Sequence, residues 1–210
     1  MNIPTKITFS RIVLVILLIT GLIVLDYIPQ EYTNIMLGNS QINIIYFVSF
    51  FIFFIASSTD FLDGYLARKW HQVTNLGKFL DPIADKLLVD SMLIFLLLPH
   101  YGSSNLTFPI FAVVIMIARD LVVDALRSIA ASKGVVLAAN IFGKIKTVLQ
   151  MLSISLVLLN GWPFSYFDST WNPALRITSF IIYLTTLVSL LSGVIYVVQN
   201  FKVLKEDKHD

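Results

Sequence analysis

The sequence contains no cysteine in 210 residues. Disulfides, thiol nucleophiles and zinc–thiolate centres are therefore excluded. Charge is also scarce. Asp, Glu, Lys and Arg make up 13% of the chain, where a soluble domain has about 25%. The three histidines, His71, His100 and His209, are scattered and read as surface or interfacial side chains. Three intervening stretches, at about 28–41, 99–107 and 160–174, carry no Lys or Arg at all. There is no internal repeat, no low-complexity tract and no segment with the composition of a separate soluble domain. Nothing in the charge placement points to a nucleic-acid partner.

What remains is apolar. Hydrophobic residues are 57% of the chain and the mean hydropathy is +0.81. About 20 helical residues cross a hydrocarbon core of roughly 30 Å. By that measure six spans are expected, at about 7–27, 42–61, 76–98, 108–129, 141–159 and 175–198. The second has a polar end reaching Lys69, and the third has a polar start. The fold class is thus an all-α integral membrane protein, a single domain over 1–210. Lys6 and Arg11 ahead of the first apolar run have the look of a signal peptide, but no small-residue cleavage site follows, so the span is expected to be retained. Lys and Arg gather at the N-terminus, between spans two and three, at spans four and five, and in the tail, and Arg176 is the one basic residue on the opposite side. The positive-inside rule then places both termini on the cytoplasmic side. Tyr27, Tyr32, Tyr101, Trp162, Tyr166 and Trp171 on the other side suit an interfacial aromatic belt.

Against this background one stretch stands out, TDFLDGYLARKWHQVTNLGKFLDPIADKLLVD, at 59–90. It holds Asp60, Asp63, Asp81, Asp85 and Asp90, five of the 13 acidic residues in the chain. Asp60 and Asp63 are three apart, and Asp81 and Asp85 four apart, so on helices each pair shares a face. Even on a lenient scale a charge at mid-membrane costs about 2.5–3.5 kcal/mol, so carboxylates here default to function. Four carboxylates brought together by two packed helices repel one another unless a cation intervenes. All-oxygen ligation favours hard ions such as Mg²⁺, Mn²⁺ or Ca²⁺. Gly64 and Ala67 keep one helix face small, and Arg68 presents a planar fork suited to phosphate. Metal ions, an open face and an arginine together read as a phosphate or pyrophosphate site. Asp90 falls off the Asp81–Asp85 face and reads as an interhelical polar contact.

The pattern Asp60-x2-Asp63-Gly64-x2-Ala67-Arg68-x8-Gly77-x3-Asp81-x3-Asp85 resembles the signature of the CDP-alcohol phosphotransferases, with eight fixed residues in 26 positions. The resemblance implies roles. Asp60, Asp63, Asp81 and Asp85 would coordinate two divalent cations, Mg²⁺ or Mn²⁺, and Asp85 would also be the general base. Gly64, Ala67 and Gly77 would admit the cytidine diphosphate moiety, Arg68 would hold a phosphate and Thr74 would assist. The opening Asn2, Pro4 and Thr5, followed by Thr8 and Arg11, is similar to the start of many family members. It implies a short amphipathic juxtamembrane helix that approaches the nucleotide, and Thr5 is a candidate cap. A homodimer in a bacterial cytoplasmic membrane is also implied, with the site on the cytoplasmic side.

A second basic set follows. Arg119 and Arg127 are eight apart, near one face of a helix, and Lys133, Lys144 and Lys146 lie across a short loop. Simple anchoring accounts for Lys133 but not for Arg119, which lies inside an apolar run. The set reads as a pocket for an anionic acceptor, with Asp120 and Asp124 as structural partners of the arginines. From Arg119 to Gln150, including Gly143-Lys144-x-Lys146-Thr147-x2-Gln150, the chain is similar to the branch of the family whose acceptor is sn-glycerol 3-phosphate. Asp120 stands where that branch commonly has Glu. The reaction implied joins CDP-diacylglycerol and sn-glycerol 3-phosphate, giving phosphatidylglycerol phosphate and CMP. Two alternatives stay open: a family transferase using inositol phosphate, serine or a lipid acceptor, and a divalent-cation transporter. Ser189, Ser192 and Gly193 late in the chain suit close helix packing.

Overall fold

The computed structural model describes residues 2–33, 35–38, 42–70, 74–98, 106–135, 137 and 141–204; among these, the side chains of 4, 30, 61–63, 65–68, 75, 78 and 202–204 lie outside the description. Among the described residues the chain is helical, without a strand longer than the single Met36–Asn43 bridge. The elements are α1 (Ile3–Asp26), α2 (Gln30–Thr33), α3 (Ile44–Lys69), α4 (Asn75–Phe95), α5 (Ile110–Ser132), α6 (Ile141–Leu158), α7 (Ser165–Asp168), a 3₁₀ turn (Pro173–Leu175) and α8 (Ile177–Leu204).

Local chemistry sets the helix starts. Asn2 is the N-cap of α1 in extended conformation, and Pro4 lies in the first turn, where its missing N–H costs nothing. Asn43 precedes α3 and accepts a hydrogen bond from the Ile45 amide at 2.8 Å. Thr74 caps α4, its hydroxyl accepting from the Gly77 amide at 3.0 Å. At the far end of α6 the chain turns through Asn160 (φ 52°) and Gly161 (φ 78°). The Gly161 amide donates to the Leu156 carbonyl at 2.7 Å, a left-handed exit that glycine adopts without strain.

Two expectations need correction. No separate amphipathic helix precedes the first span: residues 3–26 form one unbroken helix. Nothing in 5–20 breaks it, since Gly21 is the first glycine and no proline follows Pro4 before Pro29. Nor is Thr5 the cap. It sits a turn into α1, buried, with its hydroxyl 2.9 Å from that of Thr74.

Among the described residues three helices are long and apolar enough to cross a membrane, Thr5–Asp26, Ile141–Leu158 and Ile177–Phe201, and Ile44–Asp60 is a shorter apolar helix. These four match four of the six expected spans. The other two, α4 and α5, are long helices whose apolar run is interrupted. Asp81, Asp85, Lys86 and Asp90 break it in α4, and Arg119, Asp120, Asp124 and Arg127 in α5.

The main helix contacts are α5 and α6 with α8, and α1 with α3 and α4. The shared core draws Val15 and Leu22 from α1, Phe53 from α3, Met92 and Leu93 from α4, Met116 from α5, Leu158 from α6 and Ile182 from α8. A smaller cluster of Val123, Leu126 and Tyr196 joins α5 to α8. Leu17, Ile55, Phe111, Val148, Leu187 and Val198 are exposed, the apolar exterior expected of lipid-facing helices.

Away from the acidic stretch, α8 begins on a buried acid. Asp168 is 2% exposed, and its carboxylate accepts from the Ile177 amide at 2.8 Å. This satisfies one of the otherwise unpaired donors at the helix start. Asp168→Ala is expected to lower stability by about 1–2 kcal/mol without altering substrate affinity. Thermal unfolding of the detergent-solubilised protein, set beside its kinetics, checks this.

Candidate active site

The start of α1, the end of α3 and the start of α4 converge, and their polar side chains meet there. Asp60 near the end of α3 is bonded to Arg11 of α1, whose side chain is 1% exposed. The Thr8 hydroxyl donates to Asp81 Oδ1 at 3.1 Å. Helix α1 therefore grips one carboxylate from each of the two signature-bearing helices. A buried guanidinium requires such an anion, because an unpaired one is far too costly. Thr8 and Arg11 thus belong to the site. Their spacing of three on one helix face was the available signal.

Gly77 lies where α1 and α4 approach each other. A Cβ at this position would be 3.1 Å from Thr74 Oγ1 and 3.6 Å from Thr5 Oγ1. The absent side chain lets these two threonines pair. Gly64 is half-buried on α3, and Asn2 is exposed at the start of α1. The side chains of Pro4, Asp63, Ala67 and Arg68 lie outside the described residues; their backbones are in α1 and α3. Among the described residues no three carboxylates or histidines come together as a metal-holding group. The donors present, Asp60, Asp81 and Asp85, are hard oxygens on two packed helices, which suits a divalent cation of the Mg²⁺ class in chemistry.

A cavity of about 240 Å³ adjoins this cluster, bounded by α4, α5 and α6. Asp85, Lys86 and Asp90 line it from α4. Arg119, Asp120, Asp124 and Arg127 line it from α5, and Gly143, Lys144, Lys146 and Gln150 from α6. Four of the five basic residues of the second set are thus gathered around one space. The fifth, Lys133, is the exposed C-cap of α5 and is not part of the lining. Asp90 faces the cavity together with Asp85, although the helical wheel sets the two well apart.

Asp120 organises the basic wall. Its Oδ1 accepts from Arg119 Nη1 at 2.9 Å and its Oδ2 from Lys146 Nζ at 2.5 Å. Lys146 is buried, which its partner makes affordable. Asp124 pairs with Lys86 of α4 rather than with an arginine. Arg127 reaches α8, its Nε donating to the Tyr196 hydroxyl at 3.2 Å with the guanidinium 5.6 Å from the ring centre. Arg119 also reaches α8, its Nη2 donating to Ser192 Oγ at 2.5 Å. The sequence reading gave the last helix no part in the site. Ser192 and Tyr196, one helical turn apart, supply that part.

The chain matches the family model described as CDP-alcohol phosphatidyltransferase over residues 1–198. It is 35% identical over 204 residues to the CDP-diacylglycerol–glycerol-3-phosphate 3-phosphatidyltransferase of Bacillus subtilis (strain 168), covering 97% of each chain. A protein of the same name from Mycoplasma pneumoniae is 34% identical over 212 residues, 97% of this chain and 89% of the relative. The one from Haemophilus influenzae is 39% identical over 155 residues, 73% of each. With its signature residues in place on α3 and α4 and the match running through α8, this chain belongs to the CDP-alcohol phosphatidyltransferase family.

Proposed function

We propose that the protein transfers the phosphatidyl group of CDP-diacylglycerol to sn-glycerol 3-phosphate, releasing CMP. One observation carries this reading: Asp85, the last acid of the signature, lines the same cavity as Arg119, Arg127, Lys144 and Lys146. A group able to take a proton and a wall able to hold a phosphate face one space. That is what an alcohol acceptor carrying its own phosphate requires. Serine would not call for so basic a wall. The names of the relatives from B. subtilis, M. pneumoniae and H. influenzae support the same acceptor.

In the proposed reaction a glycerol phosphate hydroxyl attacks the phosphorus of the phosphatidyl group. Asp85 accepts the hydroxyl proton, the new P–O bond forms, and the phosphoanhydride bond to CMP breaks. Arg119, Arg127, Lys144 and Lys146 hold the acceptor phosphate, with Asp120 fixing two of them in place. Lys133 is not among the lining residues and is left out of this set. Asn2, Pro4, Thr5, Gly64, Ala67, Arg68, Thr74 and Gly77 form the cytidine diphosphate side, with Arg68 on a phosphate. Asp60, Asp63, Asp81 and Asp85 would hold two divalent cations, Mg²⁺ or Mn²⁺, whose charge damps that of the pyrophosphate and the leaving phosphate. Thr8 and Arg11 position Asp81 and Asp60.

The working form we propose is a homodimer in a bacterial cytoplasmic membrane. Each chain crosses six times, with both termini and the site at the cytoplasmic face. The charged segments of α4 and α5 would be covered by protein rather than lipid.

The direct test is CMP release by purified protein with CDP-diacylglycerol and Mg²⁺. In separate reactions sn-glycerol 3-phosphate, inositol 1-phosphate or serine is supplied. Release that needs glycerol phosphate is expected; release only with another acceptor overturns the acceptor reading. Asp85→Asn is expected to reduce turnover by at least about 10²-fold while CDP-diacylglycerol still binds, read by turnover and lipid-binding assays side by side. Arg119→Gln is expected to raise KM for glycerol 3-phosphate about tenfold, the scale of one charged hydrogen bond, with KM for CDP-diacylglycerol nearly unchanged. Steady-state kinetics with each substrate varied in turn decides it.

A further inference from the structure

Arg119 enters the cavity from α5, but its orientation is set from α8. The closest approach is at Gly193. A Cβ built there would lie 2.7 Å from Arg119 Cγ, 3.6 Å from its Cβ and 3.9 Å from its Cδ. The three nearest heavy atoms to that position all belong to the arginine stem. The side chain thus lies across the bare backbone of α8 in a groove that even alanine would fill. One residue earlier, Ser192 accepts from Nη2 at 2.5 Å. On the opposite side Gly143 of α6 leaves room for the same nitrogen, since a Cβ there would be 3.4 Å from Nη2. Asp120 holds Nη1 at 2.9 Å. Nε is buried and has no partner among the described residues, so the guanidinium is held by its two terminal nitrogens. Two contacts from different helices fix its plane, and further N–H groups remain for a ligand.

We propose that Ser192 and Gly193 of α8 are positioning residues that seat Arg119, and through it set the affinity of the cavity for its phosphate-bearing acceptor. The inference rests on the function proposed above. Gly193 supplies the groove along which the stem lies straight, and Ser192 stops the guanidinium from rotating out of the cavity wall. A side chain at 193 displaces the stem, and loss of the hydroxyl at 192 frees one end of the fork. Among the described residues both meet Arg119 rather than the acidic cluster of α3 and α4, so the effect falls on the acceptor and not on the nucleotide lipid.

The test uses full-length protein in detergent, with CMP release measured while each substrate is varied in turn. Gly193→Ala and Ser192→Ala are each expected to raise KM for sn-glycerol 3-phosphate about tenfold. KM for CDP-diacylglycerol should stay within about twofold. Ser192→Thr, which keeps the hydroxyl, should restore most of the acceptor affinity. A double-mutant cycle separates seating from general packing. Placed on an Arg119→Ala background, Gly193→Ala should add nothing to the acceptor KM or to the loss of thermal stability, because the atoms it would strike are gone. The proposal is overturned if both KM values rise together, if the acceptor KM does not move in folded protein, or if the two substitutions add independently. Should wild-type protein show no dependence on glycerol phosphate, the functional reading itself fails. The stability arm of the cycle still reports whether Gly193 seats Arg119.

Discussion

Asp120 is the contact on which the second half of the molecule depends. It is one carboxylate with a cation on each oxygen, Arg119 from its own helix and Lys146 from α6. Lys146 is almost fully buried and Arg119 nearly so. Removing their shared partner would leave two cations side by side in a poorly solvated space, a penalty of several kcal/mol in comparable settings. With Asp120 present, a basic wall can stand between α5, α6 and α8 and still carry surplus positive charge toward the cavity. That surplus is what an anionic ligand would meet.

The first half solves the opposite problem in the same way. Here the excess is negative, and α1 supplies the counterweight: Arg11 on Asp60 and the Thr8 hydroxyl on Asp81. The two halves meet at Asp85, which belongs by sequence to the acidic set and by position to the basic cavity. The helix pairs follow this division, with α1 against α3 and α4, and α5 and α6 against α8. The apolar core of Val15, Met92, Met116 and Leu158 runs between them. Close van der Waals packing then holds the bundle together, while ion pairs select which faces oppose.

Much of this was legible in the residues. The spacing of Asp81 and Asp85 located the acidic helix, and Arg119 inside an apolar run announced that it needed a partner. The helical class followed from composition, and four of the six expected spans coincide with apolar helices. What was not legible was pairing across distance. Nothing local to Ser192 or Tyr196 reveals that they meet Arg119 and Arg127, because the partners lie 73 and 69 residues away. Thr5 reads as a cap by type, yet Asn2 takes that place and Thr5 turns inward to Thr74. Lys133 fits the basic pattern by sequence, yet it is the exposed C-cap of α5 and not among the residues that line the cavity. Asp124 reads as an arginine partner by proximity in sequence, yet Lys86 on α4 reaches it first.

The separation of Arg119 from Ser192 also bears on how the protein is made. Chains emerge in order, so Arg119 leaves the ribosome well before the serine and glycine that receive it. Before α8 arrives, an anion is already within reach in the next residue, Asp120. An arginine and an aspartate in sequence form a unit of little net charge, and the last helix then arrives to find its groove partner already neutralised. On this view the adjacency of the two residues serves the growing chain first and the finished site afterwards, and the final helix completes the molecule by locking in place a side chain that was delivered early.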